Sequence, residues 1–421
     1  MDRLIKLILA GKQPGFEEFL ESWGDFFPLL HELEGTPQDP IWHQEGNVRV
    51  HTAMVLEEIY RQIDGCGETL AAEQRLVLVL GALLHDVAKP LVTRETEREG
   101  RRRIISPGHA ERGRAYLALK LGVLGIGFTL QQQVLRLVGH HHDPKFLVIR
   151  NRPERDYYRL ARQCDLALLY HLELADMRGR ICRDREQQIE YIEWFRAFAE
   201  EYRLWTTFDP YRHWRDTINT ALGAMDQDTR DLVLGEAIRD FEAGRISMPE
   251  AALARSYGYR DAFPRLVITC GPSGAGKSSW IANNLPGYEV ISLDDLRTGI
   301  AGRRSDQSHN SQVLQAAKEM LKAALRAQRP VVWDATNLRI DFRKRLAQLG
   351  FDYHALVTLV LFHTPETSLF ARNRLRAHPI PEAALARHLE ILEWPTPDEA
   401  HRIWHIGEDG EMLGIESGGR Q

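Results

Sequence analysis

Two sets of residues in this 421-residue chain have the types and the spacing to do chemistry on phosphate. The first is GPSGAGKS at 271–278, a G-x-x-x-x-G-K-S pattern entered from the apolar run Leu266–Thr269. Gly271, Gly274 and Gly276 let backbone N–H groups turn inward, where they and the N-terminus of the following helix meet anionic charge. Ser273, Ala275 and Ser279 complete the cradle. Lys277 would reach the β and γ phosphates as a point charge, and the Ser278 hydroxyl would hold Mg²⁺. A flexible Gly/Ser connector is not preceded by a buried-strand pattern, so the loop implies a nucleoside triphosphate such as ATP.

What is done with the triphosphate depends on residues downstream. YEVISLDDLR ends a strand at Asp294 and Asp295, with Arg297 on the same helical face as Asp294. A carboxylate at a strand end near phosphates can accept the proton of an attacking hydroxyl. VVWDATN ends a second strand in Asp334, Thr336 and Asn337, and ARNRLR places Arg372 and Arg376 four apart, as on one helix face. Arginines so placed suit a lid that clamps a transferring phosphoryl group. Singly, the aspartates read equally well as helix N-caps and the arginines as a solvated stripe. Jointly they point to phosphoryl transfer to an external acceptor.

The second set is richer in histidine: His51 in VRVHTAMVL, His85 and Asp86 in GALLHDVAKP, His109 in SPGHAERG, His140, His141 and His142 in VGHHHDP, and Asp176 in LELADMRGR. Imidazoles and carboxylates in this mixture suit divalent transition metals. A lone helical histidine is usually a core or surface residue. Here the His85-Asp86 pair closes an apolar helix, Lys89 follows it, and further histidines fall on predicted helix ends.

The elements that must position these residues follow from periodicity. Helical spacing runs through 52–63, 74–84, 111–124, 130–141 and 156–178, predicting an all-α first domain over 1–185. The charged insert at 94–109, with a turn at Gly100 and a Pro107-Gly108 break, predicts a hairpin or extended loop. Its arginines suit a polyanion and, equally, a solvated face offset by Glu95, Glu97 and Glu99. Residues 1–40 carry no visible chemistry. Residues 186–262 read as a helical bridge whose aromatics (Trp194, Phe195, Trp205, Trp214) sit at core spacing. From 263 to 421, strands at 266–270, 288–292, 330–334 and 356–362 alternate with helices, the mark of an α/β domain with a parallel sheet. The tail GIESGGRQ reads as frayed.

A net charge of −5 excludes nucleic-acid coating by bulk positive charge, so any polynucleotide contact must be local. Four cysteines without C-x-x-C spacing argue against a zinc or disulfide framework and fit a reducing compartment. No apolar stretch reaches membrane-spanning length and the N-terminus lacks a signal pattern, so a cytoplasmic location is expected, with no membrane partner.

The order H, HD, H, H, D on consecutive helices resembles the HD phosphohydrolase superfamily, in particular the HD domains attached to tRNA nucleotidyltransferases. The resemblance implies His51, His85, Asp86 and Asp176 as primary metal ligands, with His109 and His140 completing a second metal site. Asp165 competes with Asp176, and His141 or His142 with His140. His43 is implied as a substrate contact and Lys89 as a phosphate partner, each with a bland alternative. The resemblance implies a divalent transition ion, one or two of Mn, Co, Ni, Zn or Cu. GPSGAGKS, S-x-D-D-x-R, D-A-T-N and the arginine-rich lid in turn resemble polynucleotide 5′-kinases of the end-healing type. That resemblance implies Asp294 as general base, Lys277, Ser278 and Mg²⁺ on ATP, Arg297 on the acceptor phosphate with Asp334, Thr336 and Asn337 nearby, and Arg372 and Arg376 as the lid.

The two together resemble the bacterial HD-domain polynucleotide kinases. The resemblance implies a bifunctional enzyme of RNA or DNA repair that phosphorylates 5′-hydroxyl ends and removes 2′,3′-cyclic, 2′- or 3′-phosphates, leaving ends for a ligase. A small-molecule kinase fused to a nucleotide phosphohydrolase is the nearest rival. A nucleotide-sensing regulator with a decayed metal site is another, opposed by the intact ligand set.

Overall fold

The structure is a computed structural model that describes residues 1–65, 70–98, 100–207, 209–301, 309–376 and 379–417, excluding the side chains of Arg98 and Ala301. Cys66, Glu99 and the last four residues of the tail lie outside the described residues. The chain forms two compact units, Met1–Phe208 and Asp209–Gln421.

The first unit is built around one helix. α1 spans Val48–Gly65, α2 Ala72–Leu84, α3 His109–Ala118, α4 Phe128–His140 and α5 Leu166–Arg178. In α2 every residue from Leu76 to Leu84 is buried. A helix apolar all round must sit inside the core, and α1, α4 and α5 pack against it. Each fully buried leucine or valine there contributes roughly 1.5–3 kcal/mol. The core therefore fixes where α2 ends, and it ends at His85-Asp86.

The expected hairpin is present: β1 (Arg94–Arg98) and β2 (Arg101–Ile105) pair antiparallel around Gly100 at φ +70°. Two predicted helices are interrupted. The 111–124 stretch becomes α3 and a 3₁₀ turn at Leu121–Leu124. The 156–178 stretch breaks at Cys164, which is extended, and Asp165 then caps α5 by accepting from the Ala167 and Leu168 N–H groups. Residues 1–40 do more than lead in. Gln38 and Asp39 are buried and hold the groups described below.

The second unit carries a six-stranded sheet of β3 (Arg265–Cys270), β4 (Glu289–Ser292), β5 (Val331–Asp334), β6 (Leu356–Phe362), β7 (Arg402–Ile406) and β8 (Met412–Glu416). The order is β4-β5-β3-β6-β7-β8, parallel throughout except for β8. All seven residues of β6 are buried, so both sheet faces are covered at the centre. Four of the strands were predicted. β7 and β8 were not, and Gly414–Glu416 of the expected frayed tail are in β8.

The helices predicted to bridge two domains divide between the units. Arg185–Glu201 buries Ile192, Phe195 and Ala199; Phe195 stacks on Tyr157 with centroids 5.7 Å apart, and the Tyr170 hydroxyl donates to Glu193 at 2.9 Å. Gln227–Glu242 instead joins the sheet unit. Its Asp228 and Asp231 accept from Arg402, both at 2.8 Å, and Glu236 pairs with His401 at 3.1 Å. Of the aromatics expected in the core, Phe195 and Trp214 are buried, whereas Trp194 is exposed and Trp205 half-buried. No helix among the described residues is long and apolar enough to cross a membrane.

Candidate active sites

In the first unit, the end of α2 brings His85 and Asp86 against α1, α3, the end of α4, and α5. His85, His109 and His141 each donate their Nδ1 proton to the carbonyl three residues earlier: Ala82 at 2.8 Å, Ser106 at 2.7 Å and Val138 at 2.8 Å. A carbonyl only accepts, so each Nε2 is left as an unprotonated lone pair. These lone pairs converge. His109 Nε2 is 3.3 Å from His141 Nε2, 3.2 Å from His142 Nε2 and 3.2 Å from Asp86 Oδ1. His51 Nε2 lies 2.9 Å from Asp176 Oδ1 and 3.7 Å from Asp86 Oδ2.

Lone pairs and carboxylates at such distances repel without a shared cation or proton. His85 Nε2 and both Asp86 oxygens are buried without a well-aligned hydrogen bond. Orphaned buried polar atoms at this density call for an explanation, and a cation supplies one. Among the described residues three groups have the spacing to hold an ion, His51/His85/Asp86, His109/His141/His142 and His43/Glu45/His51. Burial would raise the Asp86 carboxyl, but His85, Lys89 and His109 around it hold it well below its usual range. Asp176 is likewise held low against its burial by Arg180, whose guanidinium spans both carboxylate oxygens at 2.9 and 2.5 Å. The residues present fit a divalent metal.

The structure corrects one predicted ligand. His140 faces away: its Nδ1 pairs with Asp143 at 2.7 Å and its Nε2 lies 3.4 Å from Arg114. The reason is helical phase. His141 continues the buried stripe Val134, Leu137 and Val138, whereas His140 continues the half-exposed stripe Gln133 and Arg136. Asp176 is in the cluster and Asp165, the α5 cap, is not. Lys89 Nζ contacts Asp86 Oδ2 at 2.6 Å and donates to Gln38 Oε1 at 2.7 Å. His43 Nδ1 lies 2.7 Å from Glu45 Oε1, and its ring sits edge-on to His51.

Glu45 was missed. Its carboxylate is 3.1 Å from His51 Nδ1 and accepts from the Ile181 N–H at 2.9 Å. Burial raises its carboxyl, but the hydrogen bonds from His43, His51 and Ile181 outweigh this and lower it below the usual range. A carboxylate behind a ligating histidine fixes its tautomer and raises its basicity. Sequence offered only a surface-like QEGN here.

In the second unit the phosphate loop has its expected form. β3 feeds it, Gly274 and Gly276 sit at φ +91° and +86°, and the next helix, Lys277–Asn284, begins at Lys277. We label this helix α6, with α7 as Leu293–Ala301, α8 as Asn310–Arg326, α9 as Ile340–Asp352, α10 as Glu366–Arg374 and α11 as Glu382–Glu390. Lys277 Nζ donates to the Gly271 and Pro272 carbonyls at 3.0 and 2.7 Å, and desolvation pushes its pKa down to about 8. Ser278 Oγ donates to Asp334 Oδ2 at 2.9 Å. Burial raises the Asp334 carboxyl despite that bond and the nearby Lys277. A loop hydroxyl beside an aspartate at the end of the adjacent strand is the pair that holds Mg²⁺ in P-loop proteins. Asp334, expected at substrate, therefore stands beside Ser278.

Ser292 pairs with Asp334 in the β4–β5 ladder, which sets the start of α7 beside Asp334. Asp294 is 61% exposed there and accepts from Arg297 Nη1 at 2.6 Å. A cavity of about 350 Å³ opens beside Arg297, walled by Leu293, Val313 and Phe342 with Thr336 and His388. Asn337, expected at substrate, also lines this cavity; it is buried at φ +47° and its amide donates to the Thr269 carbonyl at 2.6 Å. Arg372 and Arg376 do not share a helix face. The Asn373 side chain bonds both backbone groups of Ile380, α10 ends at Arg374, and Arg376 lies beyond it. Arg372 is held by Glu408, through its carbonyl at 3.0 Å and Oε1 at 3.3 Å.

Comparison with known proteins agrees with this division. Residues 49–171 match the HD domain family, and residues 266–395 match a family described as AAA domain. No curated protein matches the chain. Among solved structures, it is similar to a chain of "Structure of the Pnkp1/Rnl/Hen1 RNA repair complex" at 23% identity and a TM-score of 0.29, covering 31% of this chain and 44% of that one. It is similar to a gluconokinase from Sinorhizobium meliloti 1021 at 25% identity and a TM-score of 0.28, covering 36% of this chain and 86% of that one. The HD-domain match thus takes in every residue of the histidine–aspartate centre except Asp176, and the AAA-domain match begins in the strand that feeds the phosphate loop.

Proposed function

We propose that the protein heals broken nucleic-acid ends. The P-loop domain transfers the γ-phosphoryl group of ATP to a 5′-hydroxyl, and the HD domain hydrolyses a 2′,3′-cyclic, 2′- or 3′-phosphate. The observation that carries this reading is the cavity beside Arg297. It lies outside the phosphate loop, is lined by Arg297, the partner of the exposed Asp294 carboxylate, and combines apolar walls with Thr336, Asn337 and a second arginine, Arg339. That combination suits a nucleoside-like acceptor better than water.

On the kinase side, Asp294 accepts the proton as the acceptor oxygen bonds to the γ-phosphorus and the bond to the β-phosphate oxygen breaks, releasing ADP. Lys277 and the loop N–H groups hold the phosphates, Ser278 and Asp334 hold Mg²⁺, and Arg372 and Arg376 offset the charge that develops on the transferring group. On the HD side, His51, His85, Asp86 and Asp176 would hold one divalent metal, with His109, His141 and His142 available to a second. Such a metal, when bound, lowers the pKa of water and polarises a phosphoryl oxygen. Arg180 and Glu45 keep Asp176 and His51 oriented, and Lys89 is placed to meet a phosphate oxygen.

One oligonucleotide bearing a 5′-hydroxyl and a 2′,3′-cyclic phosphate tests both halves. Asp86→Ala is expected to abolish end hydrolysis and leave 5′ labelling from ATP intact, and Lys277→Ala to do the reverse. Each lost activity should fall by about 10²-fold or more. If label from ATP enters a free nucleoside and never the oligonucleotide, the end-healing reading is wrong and a small-molecule kinase takes its place.

A further inference from the structure

The β1–β2 hairpin sorts its charges by face. Cross-strand partners share a face and neighbours along a strand alternate. Arg94 pairs with Ile105 and Thr96 with Arg103, so Arg94, Arg101 and Arg103 lie on one face. Glu95 opposes Ile104 and Glu97 opposes Arg102, which puts both glutamates on the other. They cannot offset the arginine face as a solvated charge mixture would. Arg103 is neutralised by Asp39, Nε to Oδ2 at 2.5 Å. Arg94 and Arg101 are exposed. In a chain of net charge −5, they are a local concentration of positive charge with no carboxylate partner among the described residues.

The hairpin is also tied to the metal centre. Asp39 accepts from the Ile104 N–H at 3.2 Å as well as from Arg103, and its neighbour Gln38 holds Lys89, the partner of Asp86. Thr93 and Ser106 close the hairpin base, Oγ1 to Oγ, at 2.8 Å. The Ser106 carbonyl is the one that sets the His109 tautomer. Strand β2 therefore runs directly into a ligand of the centre.

We propose that this face is the strand-binding arm of the HD domain: Arg94 and Arg101 take the phosphodiester backbone of a single-stranded nucleic acid whose terminal phosphate lies at the metal centre, on a hairpin that the Arg103–Asp39 pair holds in place. The inference rests on the end-healing reading and adds that the HD domain recognises a strand and not only its terminal nucleotide. The test compares hydrolysis of a 2′,3′-cyclic mononucleotide with that of an oligoribonucleotide ending in the same group, by wild-type full-length protein, the double variant Arg94→Ala/Arg101→Ala, and Glu95→Ala/Glu97→Ala on the opposite face.

Removing the two arginines should raise the oligonucleotide KM about tenfold and make the salt dependence of log(kcat/KM) shallower by ~1.4, two phosphates at ~0.7 each. Mononucleotide turnover should stay within about twofold of wild type. The glutamate variant should leave the oligonucleotide KM unchanged or lower. An unchanged oligonucleotide KM in the arginine variant, or equal loss on both substrates, overturns the arm while leaving the end-healing reading standing. Wild type that hydrolyses neither substrate with any divalent metal overturns both.

Discussion

At the residue scale, the HD centre is a problem of tautomers. Three histidines spend Nδ1 on the carbonyl three residues back, which commits Nε2 to the centre without help from any distant group. His51 is different because its Nδ1 faces Glu45, a carboxylate from a loop. Glu45→Gln keeps the shape and removes the charge, so metal affinity should drop by about 10- to 100-fold, measured by competition with a chromophoric chelator. Circular dichroism should be unchanged. An affinity within twofold of wild type would leave Glu45 with no part in orienting His51. The choice of His141 over His140 was legible in principle, because Val134, Leu137 and Val138 mark the buried stripe. Three consecutive histidines hide it only until the helical phase is carried across them.

At the element scale, the loop after β5 depends on a buried arginine. Arg343 on α9 reaches Glu399 through Nε and Nη2 at 2.7 and 3.0 Å and donates through Nη1 to the Asn337 and Leu338 carbonyls, both at 3.0 Å. Its side chain is 1% exposed. Among the neighbours Lys344 and Arg345 only helical spacing singles it out, since Arg343, Leu346, Ala347 and Gly350 form one buried stripe. Arg343→Met leaves Glu399 buried without its cation and should cost about 3–5 kcal/mol in urea unfolding of the second unit. Arg343→Met/Glu399→Met should recover much of that loss. A single variant as stable as wild type would show that the pair does not hold the loop that follows Asp334. Gly179 plays a comparable part in the first unit. A Cβ there would lie 2.9 Å from Val55 Cγ2, so glycine lets the end of α5 approach α1, the helix that carries His51.

At the scale of the whole molecule, two compact units with separate chemistries should respond to separate ligands. Adding MgATP at a hundred times its Kd is expected to stabilise only the Asp209–Gln421 unit, by about 2.7 kcal/mol. Stripping divalent metal with a chelator, in the absence of nucleotide, should lower only the transition of Met1–Phe208. Differential scanning calorimetry of the full chain reads both. Lys277→Ala should lose the first shift and keep the second. A chelator effect on both transitions in that variant would contradict independent sites.

The sequence by itself determined the division into a helical domain and an α/β domain, the phosphate loop and four of the six sheet strands, and the resemblance it carries implied five of the seven proposed metal ligands. These are readable because local periodicity and contiguous motifs carry them. Tertiary structure alone decided that the helices of 186–262 divide between the units, that Asp334 stands with Ser278, that Asn337 is buried, and that Arg376 leaves the helix carrying Arg372. It also brought in Glu45, Gln38 and Asp39 from a segment with no motif. Each of these depends on pairs far apart in the chain, such as Asp228 with Arg402 or Asp39 with Arg103, and periodicity cannot see a partner that only packing brings near.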